Sequence, residues 1–308
     1  MQSGRLAANR CGMNELWTIS QREKLVIRPF WFCIILTPVI VGICTLIFCA
    51  NPLMASTVKP SDNRFTTMVI NKLSITVVYD NNPYKKGLTT SWGFACVIRG
   101  VEKTILFDTG GSSAVLLGNM QQLGIDPKEI DIVVLSHIHG DHVGGLDGLL
   151  KENSEMAVYF PATFPAGFKK SLKQAGIRAS EVSDPSMICK DVYSTGVLGS
   201  WMKEQALIIS TEKGLIVITG CAHPGIVKIL KTAREMISAP ILLVIGGFHL
   251  GAIPKQQLEK IIIEFRKLGV RQVGPCHCTG DPARRMFEEE YGKDFLEVGV
   301  GRLIEFEQ

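Results

Sequence analysis

The sequence predicts an α/β domain in which two sheets are sandwiched between helices, an αββα arrangement, preceded by one N-terminal transmembrane helix. Three observations carry this reading. Residues 30–50 form a run of 21 residues without a charged side chain, about the length a helix needs to cross a bilayer core. From residue 71 short β-rich runs bounded by Gly, Pro, Asn or Asp dominate the first third of the remaining chain. Strand–helix alternation then returns in the last third, the pattern of sheets covered by helices.

Composition excludes several classes at once. With 46% apolar and 20% charged residues in 308 and a formal net charge of +4, the chain is not disordered, collagen-like or a small disulfide-stapled fold. All five basic residues of the leader (Arg5, Arg10, Arg22, Lys24, Arg28) precede the apolar block, which by the positive-inside rule leaves the N-terminus in the cytoplasm. Residues 1–29 are therefore expected to be a cytoplasmic leader, 30–50 a signal anchor, 51–70 a linker and 71–308 one large domain on the outer or periplasmic side. Export after signal cleavage is the alternative, although Leu53-Met54-Ala55 has a large residue where a signal peptidase prefers a small one. A buried core helix of this length would normally carry a polar stripe, and this run has none.

Residues 56–308 hold 28 Lys and Arg against 27 Asp and Glu. A nearly neutral domain lacks the concentrated basic face that nucleic-acid binding requires, so the expected partner is a small molecule. The sequence says nothing about oligomeric state. Five cysteines, Cys96, Cys189, Cys221, Cys276 and Cys278, fall in this part; an odd number leaves one thiol unpaired in an oxidising compartment, and a metal-associated Cys221 would account for it.

Strands are predicted at 73–79, 93–99 and 104–107, then a helix at 112–123 with Ser112 or Ser113 as N-cap and Gly124 as its stop. A buried strand at 132–135 runs into a His-rich loop, and a helix begins near Val143. Strands at 206–210 and 215–219, a helix at 226–237, a strand at 241–245 and a helix at 255–268 follow. In that last helix Leu258, Ile261, Ile262, Phe265 and Leu268 repeat at helical spacing and make one apolar face. A strand at 272–274, a helix from Asp281 and a closing strand at 296–306 complete the chain. Residues 159–198, with Pro161, Phe164, Pro165 and Phe168 before a helix, read as a wall over the functional site.

All six histidines, His137, His139, His142, His223, His249 and His277, lie in loops that directly follow a predicted strand. The densest segment is Ser136-His137-Ile138-His139-Gly140-Asp141-His142. Alternation along an extended segment puts His137 and His139 on one side, within reach of one cation, while the turn at Gly140 swings Asp141 and His142 toward a second position. Imidazoles with a carboxylate suit zinc, whose catalytic sites keep an open position for water.

His137-x-His139-x-Asp141-His142 after a strand, with Leu106-Phe107-Asp108-Thr109-Gly110 about 30 residues earlier, resembles the signature of the metallo-β-lactamase superfamily. The resemblance implies an αββα sandwich with a one- or two-metal site at one edge of the sheets. It assigns His137 and His139 to the first metal, Asp141 and His142 to the second, and Asp108 to supporting the loop without touching metal. Pro275-Cys276-His277-Cys278-Thr279-Gly280 resembles the last motif, whose His277 completes the second site. Ile218-Thr219-Gly220-Cys221 resembles the segment in which a bridging aspartate normally follows Thr-Gly; here Cys221 stands in its place and is expected beside the donors instead of among them. The histidine usual between His142 and that strand is absent, and His223 is inferred to take its coordination role. Together with Gly246-Gly247-Phe248-His249, these motifs resemble a subgroup of metal-dependent hydrolases that includes an archaeal synthase joining a dihydropterin to a ribofuranosylaminobenzene phosphate.

The expected cofactor is zinc, as two ions, with iron or manganese as alternatives. The expected chemistry is hydrolysis by a metal-bound hydroxide, with Asp141 orienting the water and accepting its proton. His249 is expected either to bind metal or to donate a proton to the leaving group. Cys276 and Cys278 are expected to face away from His277 and pack. Two rival functions use the same residues: displacement of pyrophosphate to form a C–N bond, and a non-catalytic metal or metabolite sensor.

Overall fold

Uninterrupted runs of apolar residues, the mark of strands covered on both faces, open the domain. The computed structural model describes residues 72–307; the predicted leader, anchor at 30–50 and linker at 51–70 lie outside the described residues. Strands β1 (Leu73–Asp80), β2 (Phe94–Arg99) and β3 (Ile105–Phe107) form an antiparallel meander. Helix α1 (Ser113–Gln122) leads to β4 (Ile132–Val134), and the short α2 (Gly140–Val143) and α3 (Leu146–Glu152) lead to β5 (Ala157–Pro161). Helix α4 (Ala166–Gln174) then returns the chain to β6 (Arg178–Val182). Strands β4, β5 and β6 add in parallel beside β3.

The second sheet begins with β7 (Ser186–Cys189), β8 (Val192–Ser194), β9 (Leu207–Thr211) and β10 (Gly214–Thr219), each antiparallel to the next. Helix α5 (Ile226–Met236), β11 (Ile241–Gly247), α6 (Lys255–Lys267), β12 (Gln272–Cys276) and α7 (Asp281–Tyr291) alternate after it, and β11 and β12 pair in parallel. The last strand, β13 (Leu303–Phe306), crosses back to the first sheet beside β1.

Three apolar clusters hold these layers. Ile75, Val77, Phe94 and Phe107 from the first sheet meet Leu207, Ile209, Ile216 and Ile218 from the second between the sheets. On the outer face of the first sheet, Leu106, Val133 and Val158 pack with Leu116, Met120, Leu149 and Leu172. On the outer face of the second, Val217 and Val244 pack with Ile229, Leu258, Phe265 and Phe287. The order of layers is thus helix, sheet, sheet, helix, as the sequence predicts.

Several local readings need correction. The helix expected from Val143 is two pieces, because the N–H of Gly145 bonds to the carbonyl of Gly110 at 3.2 Å instead of to its own helix. The closing strand is confined to Leu303–Phe306; ahead of it Leu296 bonds to Val273 and Val300 to Asn82, so this stretch bridges the ends of the sheets. Of residues 159–198, read as a wall over the site, 159–194 contribute to β5 through β8 instead, and Phe160, Phe164 and Phe168 meet ring to ring, 5.0 to 5.5 Å apart, as packing for α4. Among the described residues no helix is long and apolar enough to cross a membrane.

Phe248, Phe265 and Phe287 form a closed triangle with centroids 5.0 to 5.7 Å apart. Phe265→Ala leaves a cavity there and is expected to cost about 3–5 kcal/mol of stability, read as a lowered urea midpoint with little change in slope.

Candidate metal centre

The chain ends β3, β4, β10, β11 and β12 at one edge of the sandwich, and the loop after each carries a polar residue to the same place. Asp108, directly after β3, is fully buried at φ 57. Its Oδ1 accepts the backbone N–H of Ser136 at 2.7 Å, and its Oδ2 accepts the Ser136 hydroxyl at 2.8 Å and lies 2.7 Å from His142 Nδ1. The hydroxyl of Ser136, its proton given to Asp108, sits 2.8 Å from His137 Nδ1 and accepts from it. His277 is held the same way, with Nδ1 2.9 Å from Asn81 Oδ1. In all three imidazoles Nδ1 is spent on an orienting partner, which leaves Nε2 as the free donor facing inward.

Those free nitrogens converge. Asp141, His142, Cys221 and His277 bring one potential ligand atom each within 4.8 Å of one another; His137, Cys221 and His223 do the same, as do Cys221, His249 and Cys278. The Cys221 sulfur belongs to all three groups and stands 3.2 Å from His142 Nε2. His139 adjoins the second group, its Nδ1 3.0 Å from His137 Nε2 and its ring 4.9 Å from that of His223.

Two cysteines therefore differ from the sequence expectation. Cys221, expected beside the donors, is at their centre, because the turn after β10 aims its sulfur inward. Cys278, expected to pack, reaches toward Cys221, while Cys276 does pack between the sheets. The side of Gly247 gives Cys278 its space: a Cβ there would lie 2.7 Å from the Cys278 sulfur.

Two functional residues were not found from the sequence. Buried Glu204 accepts the backbone N–H groups of Cys221 and Ala222 on Oε1 at 2.9 and 2.8 Å, and that of His223 on Oε2 at 2.8 Å. One carboxylate thus clamps the whole turn that presents Cys221 and His223. Its sequence signal was a lone Glu just before an apolar strand, which is also how a surface residue looks. Asn81 was equally hidden at the end of β1.

The electrostatics follow from crowding. Burial, then the neighbouring imidazoles His142 and His223, keep His137 neutral far below its usual range. Burial works against the Asp141 carboxylate, yet its close neighbours His277 and His142 outweigh it and hold the group well below its ordinary value. For His142 burial is outweighed by Asp108, and its pKa rises. Burial and His249 lower His223 to about 4. Burial raises Glu204 to about 7 despite its three backbone donors. The closeness of Cys221 and Cys278 pushes the Cys221 thiol up and draws that of Cys278 down. A cation taken up by the Cys221 sulfur must displace its proton, so binding releases acid.

The donor set fits a divalent transition metal. Both ring nitrogens of His223 are buried and have no hydrogen-bond partner among the described residues, a cost that a cation would remove. Imidazole and thiolate donors suit a borderline-soft transition metal better than a hard cation.

Residues 93–232 match the family described as the metallo-beta-lactamase superfamily. Over 271 residues, 73% of this chain and 92% of the relative, the sequence is 32% identical to the 7,8-dihydropterin-6-methyl-4-(beta-D-ribofuranosyl)-aminobenzene-5'-phosphate synthase of Methanocaldococcus jannaschii. The structure resembles that of Tm1679, a metal-dependent hydrolase of the beta-lactamase superfamily, with a TM-score of 0.65 and 29% identity over 77% of this chain and all of that one. The YhfI protein of Bacillus subtilis shares the fold, with a TM-score of 0.57 and 15% identity over 77% of this chain and all of its own.

Removing the clamp behind the donors is expected to loosen them without deleting any. Glu204→Ala should weaken metal binding about 10–100-fold, measured by competition against a chromogenic chelator, with the far-ultraviolet circular dichroism of the wild type.

Proposed function

The chain belongs to the metallo-β-lactamase superfamily, and from that premise we propose that it is a metal-dependent hydrolase acting on a small molecule. The observation that carries this reading is the pair of donor groups that meet at the Cys221 sulfur. His137, His139 and His223 would hold one cation and Asp141, His142 and His277 the other, with Cys221 between them. Bound there, the cations would supply Lewis acidity and lower the pKa of coordinated water.

The chain's own side chains do the remaining work. Asp141 is kept ionised beside His277, 3.3 Å from its Nε2, so it can orient an attacking water and take its proton. His249 lies at the exposed rim with its ring 4.4 Å from that of His223, where it can return a proton to a leaving group. Asp108, Asn81 and Glu204 touch no reacting atom; they hold imidazoles and the Cys221 turn in the geometry that these transfers need.

A second reading has its own support. The identity of 32% to the Methanocaldococcus jannaschii synthase favours displacement of pyrophosphate by an arylamine at the same site, with the cations binding phosphate oxygens. Both readings need the metal centre, and they separate at the product.

Mass spectrometry of the intact full-length protein is expected to find about two transition-metal ions per chain, and His139→Ala should lower that content while the protein stays folded. Finding no tightly bound metal would remove the basis for either reading. With metal present, release of pyrophosphate on incubation with a pterin pyrophosphate and an arylamine would select the synthase; turnover of ester or phosphodiester substrates by water alone, abolished in His139→Ala, would select the hydrolase.

A further inference from the structure

Exposed tryptophans are uncommon, because the indole is the largest apolar group a chain can leave in water. Trp92 is 59% exposed and Trp201 is 73% exposed, and both stand at the metal centre. The Trp92 ring lies 4.8 Å from that of His277, and the Trp201 ring 5.4 Å from that of His223. Between these two histidines the imidazoles form a continuous row: His277 to His142 at 5.0 Å, His142 to His137 at 4.2 Å and His137 to His223 at 4.8 Å. One indole therefore closes each end of the row.

Both indoles sit on rigid mounts. Trp92 precedes Gly93, whose φ is +139° and whose Cβ, if it had one, would lie 2.4 Å from the carbonyl oxygen of Asp141. The backbone that carries Trp92 is thus pressed directly on the loop that carries Asp141 and His142. Trp201 sits at the tip of a small loop closed by two backbone hydrogen bonds between Leu198 and Glu204, of 2.8 and 3.1 Å. Lys203 Nζ ties the tip across to Gly199 O at 2.7 Å. Glu204, which closes that loop, is also the carboxylate that clamps Cys221, Ala222 and His223. Trp201 thus shares Glu204 with the turn of the His223 it flanks, while Trp92 flanks His277 from backbone seated on the Asp141 loop. A large apolar face already ordered in the free protein loses little entropy when a ligand covers it.

We propose that Trp92 and Trp201 form a two-ended aromatic clamp, so that the substrate carries a flat aromatic group on each side of the bond that reacts over the imidazole row. The two indoles stand at opposite ends of the row, so a single ring cannot use both. A metal-binding anionic centre between two flat groups places its charge over the cations and its rings on the indoles. The inference rests on the proposed metal centre and adds the substrate class that such a centre would serve.

Diphenyl phosphate and dicyclohexyl phosphate test it, since both put the same anion between two six-membered rings and only one pair of rings is flat. Isothermal titration of the metal-loaded full-length protein is expected to show diphenyl phosphate binding roughly tenfold more tightly, a typical margin for stacking on an aromatic side chain. Trp92→Ala and Trp201→Ala should each reduce the preference and the double variant abolish it, while Trp92→Phe and Trp201→Phe, which keep a flat face, retain most of it. Metal content is measured on the same samples. Equal affinity for the two probes, no binding of either, or a preference that survives in the double variant would overturn the clamp; so would a preference lost through one tryptophan alone. If those results come with metal present, the clamp fails and the metal centre stands; if no metal is held, both fall together.

Discussion

Asp108 is a fully buried carboxylate whose partners in the fold are a backbone N–H and a hydroxyl of Ser136 and an imidazole of His142. A buried charge is costly unless hydrogen bonds replace its water, so these three contacts must be kept together for the domain to fold. Keeping them together brings the end of β3 to the start of the His-rich loop and turns His142 so that only Nε2 faces inward. Ser136 passes the constraint to His137. The same bonds that make the carboxylate tolerable in the interior thus orient two of the site's imidazoles, so folding stability and site geometry are one requirement. The left-handed backbone at Asp108 is a further strain that this hydrogen bonding must offset.

The second sheet meets the first by a parallel device. Glu204 has no cationic side chain among its hydrogen-bond partners; it is satisfied by three consecutive backbone N–H groups. That arrangement forces a tight turn, visible in the positive φ of 62° at Ala222, and the turn points the Cys221 sulfur and the His223 ring into the space that Asp108 prepares from the other side. Asp108 after the first sheet's β3 and Glu204 before the second sheet's β9 are thus buried carboxylates that hold the donors from either side without being among them. Such a centre is stiff before any cation arrives, which favours tight binding because little ordering remains to be done.

The fold and the first half of the site were legible for a simple reason: apolar runs, Gly and Pro punctuation, and a local motif all act over a few residues. His137, His139, Asp141 and His142 sit within six positions of one another, so their convergence can be read from alternation and one turn. Glu204 and Asn81 could not be read this way. Each acts on residues far along the chain, Glu204 on Cys221 and Asn81 on His277, and nothing near either of them shows the partner. Cys278 was misread for a related reason, since its neighbour Cys276 does pack between the sheets and alternation alone does not say that the turn after β12 rotates Cys278 toward Cys221. Within 159–198 the prolines and phenylalanines resemble a loop, while the packing of Phe160, Phe164 and Phe168 at α4 depends on contacts with β5 that no local pattern announces.

Cys221 in place of a carboxylate changes what the centre can tolerate. A carboxylate has two oxygens and could give one to each of two cations, whereas a cysteine has a single donor atom that two cations would have to share. Crowding three donor groups around one sulfur is the consequence, and it explains why the neighbouring residues are small or polarizable: glycine at 220 and 247, and sulfur again at 278. A cation held there would displace the proton of Cys221, so its uptake would depend on pH.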